Sequence, residues 1–114
     1  MTGRAYLVYI TASGEEEARR IARSLVERRL AACASVVPAV HSVYWWEGRL
    51  EEAGEALVLV KTVEEALEPL ERAVREMHSY SVPAISAIPI ERLHEPYWRW
   101  MQEEIRPRGE GTGK

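Results

Sequence analysis

Apolar residues recur at helical spacing in two stretches of the chain. Ala18, Ile21, Ala22, Leu25 and Val26 fall on one side of a helix, with Arg19, Arg20, Arg23, Glu27 and Arg28 opposite. Ser13 precedes it with Glu16 three residues on, the spacing of a capping box. The second stripe is Ala66, Leu70, Ala73, Val74 and Met77, in a helix predicted to start at Thr62 with Glu65 three residues later. Four runs rich in Val, Ile, Tyr and Trp read as strands. They are Ala5 to Thr11, a segment from near Cys33 to Trp46, Arg49 to Lys61, and Ala84 to Ile90. Pro38 interrupts the second run and marks an edge, a bulge or a bend, and an irregularity is expected in the third at Ala53-Gly54. Pro96 fits the first turn of a short third helix carrying Tyr97, Trp98, Trp100 and Met101.

The order β-α-β-β-α-β plus a helix predicts an α+β ferredoxin-like plait with a long β-hairpin and an additional C-terminal helix. Residues 1–105 form that domain, and residues 106–114 read as a flexible tail without an apolar anchor. One feature of the strands exceeds what such a domain needs. Leu7 and Tyr9 oppose Tyr6, Val8 and Ile10, and Leu57 and Leu59 oppose Val58 and Val60. Both sheet faces are therefore apolar, although the helices cover only one, so a homo-oligomer is expected. The hairpin turns at Glu47-Gly48. A two-residue turn pairs Trp46 with Arg49, whereas a type I turn with Gly48 as a bulge shifts the pairing by one. Glu is a poor first residue for a primed turn, which favours the second, and the faces of Trp45 and Trp46 depend on the choice.

Composition narrows the classes. The length of 114 residues suits one domain, and a net charge of −3 supplies no positive field for nucleic acid or an anionic membrane. No apolar run approaches the ~18 residues of a membrane span, and AYLVYI is too short for a signal-peptide core. A single cysteine excludes an internal disulfide and suits a reducing, cytoplasmic compartment.

Candidate chemistry is sparse. Cys33, in AACAS, is either a buried small hydrophobe or a soft ligand for a metal such as Cu(I). No CxxC, HxH or HExxH is present, and His41, His78 and His94 are far apart in the sequence. His78 follows the second helix and suits either its C-terminus or a ligand or catalytic role. Lys61 ends the LVLV strand and, if buried, needs an acidic partner such as Glu55 or Glu51. Glu51, Glu52 and Glu55 read either as hard ligands or an acid pair, or as solvation of a projecting hairpin arm. Tyr44, Trp45 and Trp46 suit an oligomer interface or a pocket wall better than base stacking, because their surroundings are acidic.

Several ordered pieces together resemble the CutA family of divalent-cation tolerance proteins. They are RRLAACASVV at 28–37, SVYWWEG at 42–48, Glu55 with ALVLVKT at 56–62, HSYSVPAI at 78–85 and YWRWM at 97–101. The resemblance spans about residues 5–103. It implies a trimer with the hairpins packed between subunits, an architecture like that of the PII signalling proteins. It also implies copper or other divalent-metal binding, a role in metal tolerance, a cytoplasmic location and no enzymatic reaction. No organic cofactor, nucleic acid or membrane partner is expected. Cys33 and His78 are the implied metal ligands, and Ser42, Tyr44, Trp46, Lys61 and Tyr80 the candidate pocket residues. The alternative is a small-molecule sensor binding at subunit interfaces. Two departures stand out. Ser79 replaces the family's usual Pro, and Ala84 replaces its usual Glu, removing a carboxylate near His78.

Overall fold

The computed structural model describes residues 3–106, so the expected tail lies, apart from Arg106, outside the described residues. The elements follow the expected order. They are β1 (Ala5–Ala12), α1 (Glu15–Glu27), β2 (Cys33–Trp46), β3 (Arg49–Val63), α2 (Leu67–Met77), β4 (Ile85–Pro89) and α3 (Glu95–Glu104). The four strands form one antiparallel sheet in the order β2-β3-β1-β4, the order of the ferredoxin-like plait.

The helical stripes meet one face of this sheet. Ile21, Leu25, Leu70 and Val74 are fully buried against Val8, Ile10, Val58 and Val60. Val26 is the exception in the α1 stripe and stays exposed. The opposite face is closed at one end only. There α3 places Met101 and Ile105 in a second apolar cluster with Ala5, Val63 and Ala66. An ion pair of 2.6 Å from Arg29 to Glu104, and a hydrogen bond donated by the Arg106 N–H to the Arg29 carbonyl, hold the end of α3 to the α1–β2 connection. Farther along the same face Leu7, Leu57 and Leu59 are half-buried, while Tyr9 and Ile88 are exposed.

Two details of β2 and β3 decide which side chains share that open face. Val37 is in register with Leu57, but Val40 is in register with Glu55, so β2 carries one extra residue at Pro38-Ala39. This is a β-bulge at the proline, which has no N–H to leave unpaired. It reverses the alternation of everything after it. Val36 packs on the helical core, yet Ser42, Tyr44 and Trp46 lie on the opposite face with Glu55. The expected irregularity at Ala53-Gly54 is absent, because Gly54 pairs with His41 and Ala53 with Ser42 in continuous register. The extra residue sits on β2 instead.

The turn also differs from the expectation. Trp46 pairs directly with Arg49, and both Glu47 (φ 52) and Gly48 (φ 79) have positive φ. This is the two-residue primed form, whose twist matches the strands, and it outweighs the poor fit of Glu at the first position. Trp46 consequently shares a face with Tyr44, and Trp45 lies on the other, 71% exposed.

Two helix starts move as well. Gly14 is the N-cap of α1, and the reciprocal carboxylate is Glu17 rather than Glu16. Thr62 does not open α2. It lies buried in β3 and donates to the Leu30 carbonyl at 2.7 Å, and a single 3-10 turn at Glu64–Ala66 leads into α2.

Candidate functional site

A cleft of about 550 Å³ opens on the sheet face that α3 leaves uncovered. β1 contributes Tyr9 and Thr11 to it, and β2 contributes Ser42, Tyr44 and Trp46 through the bulge-reversed alternation. Glu55 of β3 forms part of the wall, and the segment after α2 adds Tyr80, Val82 and Ala84. Of the candidate pocket residues, Ser42, Tyr44, Trp46 and Tyr80 thus meet in one cleft, and Lys61 does not.

The segment after α2 is tied down by a small polar network. The His78 ring is wholly buried. Its Nδ1 accepts the Tyr80 N–H at 3.0 Å, and its Nε2 faces the Thr11 carbonyl at 2.7 Å. Because a carbonyl only accepts, this set requires the Nε2–H tautomer. Glu17, also buried, accepts the Ser13 N–H at 2.9 Å, the Ser79 N–H at 2.6 Å and the Ser79 hydroxyl at 3.0 Å. Burial alone pushes the Glu17 carboxyl upward, but the donors from Ser13 and Ser79 overcome it and hold the group down at about 2. Ser79, one of the two departures from the family resemblance, therefore supplies two donors, one of them an N–H that a proline lacks.

Tyr80 leaves this network and donates its hydroxyl to Glu55 Oε2 at 2.6 Å. Burial, then the hydrogen bond to and charge of Glu55, raise the Tyr80 phenol well above its ordinary range, so it remains a donor at neutral pH. Glu55 itself is only 8% exposed. Its role in the sequence reading, as solvation of a projecting arm or partner for Lys61, gives way to a nearly buried carboxyl partnered by a phenol.

Lys61 and Cys33 lie at the other end of the face. They are register partners, roughly 20 Å along the strand from Glu55 at ~3.3 Å per residue. The Lys61 ammonium stands 5.5 Å from the centroid of the Tyr97 ring. The Cys33 sulfur is 3.2 Å from the Tyr97 hydroxyl, and burial with this contact pushes the Tyr97 phenol up to about 12. Cys33 is half-buried rather than enclosed. His78 bonds to Thr11, whose β3 partner Leu57 is four residues from Lys61, so the strand positions beside which Cys33 and His78 sit are offset by roughly 13 Å along the sheet.

That separation bears on metal binding. His78 has both ring nitrogens engaged, and among the described residues no group of three or more His, Cys, Asp or Glu could hold an ion. Divalent cations require several converging donors. The described residues of a single chain therefore do not fit a metal centre. Glu51 and Glu52 do not form one either, since Glu51 lies opposite Tyr44, and Glu52 contacts His41 at 2.7 Å on the exposed hairpin. Tyr9, Thr11 and Glu17 were not legible as site residues. Glu17 had a signal in its position three residues beyond the Gly14 N-cap, but choosing it over Glu16 requires knowing where the helix begins.

The likeness to known proteins covers almost the whole described chain. The family model of the CutA1 divalent ion tolerance protein matches residues 6–104. The divalent-cation tolerance protein CutA of Archaeoglobus fulgidus is 45% identical over 98 residues, covering 86% of this chain and 95% of that protein. The solved divalent cation tolerance protein of Thermus thermophilus superposes with a TM-score of 0.87 at 43% identity, covering 90% of this chain and 99% of that one. A structure from Archaeoglobus fulgidus described as a periplasmic divalent cation tolerance protein gives a TM-score of 0.87 at 42% identity, with 90% and 99% covered. These relatives are named as divalent-cation tolerance proteins. The bulged hairpin, the cleft and the plait are thus those of a chain that belongs to the CutA1 divalent ion tolerance protein family.

Proposed function

We propose that this chain acts in divalent-cation tolerance as a cytoplasmic homotrimer that recognises a small molecule in the cleft beside the hairpin, in the manner of a PII-like sensor. The observation that carries this reading is the cleft itself. It has the volume of a small-molecule site and is built around the nearly buried Glu55 and its phenol partner Tyr80, whereas no metal donors converge among the described residues. Assembly is supported by the exposed apolar surface. Trp45 and Leu50 are paired on one side of the hairpin at 71% and 58% exposure, and Leu57 and Leu59 line the uncovered sheet face. The cytoplasmic assignment is supported by the single thiol, which has no disulfide partner. No helix among the described residues is long and apolar enough to cross a membrane.

Thermal unfolding separates a sensor from a metal store. A panel of small metabolites is expected to contain at least one that raises Tm, with the rise lost in Trp46→Ala. Stabilisation by copper or zinc salts alone, unaffected by Trp46→Ala, contradicts the reading. A second reading, direct copper binding, is favoured by one observation: the Cys33 thiol is a soft donor within reach of solvent. Titration with Cu(I) under reducing conditions tests it, and equal stoichiometry and affinity in the wild type and Cys33→Ala would eliminate the thiol role.

A further inference from the structure

We propose that the cleft takes a small organic cation, a primary or methylated ammonium, held by the Glu55 carboxylate and the aromatic side chains around it. The inference rests on the reading of the cleft as a small-molecule site and adds the chemical class of its occupant. Charge decides the sign. Glu55 is the one ionisable carboxyl lining the cleft, and no Lys, Arg or His lines it. An anionic ligand would meet a like charge there and find no counter-charge.

The state of Glu55 points the same way. It is 8% exposed, yet among the described residues no Lys, Arg or His stands within ion-pair distance. Its one side-chain partner is the Tyr80 hydroxyl on Oε2. A carboxylate has about four acceptor positions, so most of its capacity remains for a ligand. A nearly buried carboxylate without a cation is unfavourable, and an ammonium supplies both the charge and the donors.

The rest of the lining suits an organic rather than a metal cation. Tyr9, Tyr44, Trp46 and Tyr80 are four aromatic residues around a single carboxyl. Aromatic rings attract ammonium groups through the ring quadrupole and also accommodate the attached hydrocarbon. A hard divalent ion instead needs six or so oxygen ligands, which one carboxyl and its phenol do not provide. The volume of about 550 Å³ leaves room for a ligand of many atoms rather than a bare ion.

Isothermal titration of the full chain with tetramethylammonium and n-butylammonium chloride tests this, with sodium butanoate and sodium chloride as controls at matched ionic strength. At least one ammonium is expected to bind saturably and the butanoate not at all. Glu55→Gln, which keeps an oxygen for the Tyr80 hydroxyl, is expected to weaken binding about tenfold or more. Trp46→Ala, at the exposed hairpin end, offers a second variant with an expected loss of about threefold to tenfold. Arg19→Ala, on the solvent side of α1, is expected to bind like the wild type. No saturable ammonium binding, equal binding of butanoate, or unchanged affinity in both cleft variants would overturn the proposal. Sedimentation of the same samples separates the two claims. A trimer that ignores ammonium ions but is stabilised by another metabolite refutes the cation and leaves the sensor reading standing.

Discussion

At the residue scale, Glu17 shows how little of a polar network is visible before folding. One carboxyl joins the start of α1 to the segment after α2 by accepting from Ser13 and Ser79. Its folded pKa of about 2 lies below the ordinary carboxyl value of 4.5, so the unfolded chain takes up this proton first. The stabilisation is therefore present above pH ~4.5 and is lost as pH falls through 2. The shift corresponds to about 3 kcal/mol at neutral pH. Glu17→Gln is expected to lose stability of that order at pH 7, measured by denaturant unfolding, and to lack the wild type's fall in stability between pH 5 and 2. An unchanged acid slope would show that Glu17 does not hold the segment. The capping-box spacing from Ser13 points to Glu16, and only the position of Gly14 as N-cap moves the choice to Glu17.

At the element scale, the order of strands and helices was readable because each carries a local signal. The Val-, Ile- and Tyr-rich run of β1 and the apolar stripes of α1 and α2 are local properties of the chain. Side-chain facing in the hairpin was not readable, because it depends on counting residues through Pro38 and through the turn. The proline marked the bulge, yet not whether one residue or none was extra. Tyr44 and Trp46 reach the cleft only because one is. Cys33 and His78, linked by resemblance, stand apart because β1 and β3 run between them. Glu47 in the left-handed region provides a test of the turn. Asn favours that conformation, so Glu47→Asn is expected to stabilise the protein by about 0.5–1 kcal/mol and raise Tm. A lower Tm would indicate that the turn is not of the primed form.

At the scale of the whole molecule, the unfinished feature is the second sheet face. α3 covers the end at Ala5 and Val63, while Leu7, Leu57 and Leu59 stay partly open and Tyr9 and Ile88 exposed. The proposed assembly removes Leu7, Leu57, Leu59 and Ile88 from water together with the exposed side of the hairpin, burial worth roughly 25 cal/mol per Å² of apolar area. A charge there opposes assembly without touching the helical core. Leu59→Arg is accordingly expected to yield a folded chain of lower mass, with wild-type far-ultraviolet circular dichroism. The cleft lies on this same face, so the proposed sensing role depends on what the face becomes in solution. Sedimentation equilibrium at micromolar concentration tests that most directly: the expected result is the mass of three 13.0 kDa chains, and a single 13.0 kDa species would contradict the account.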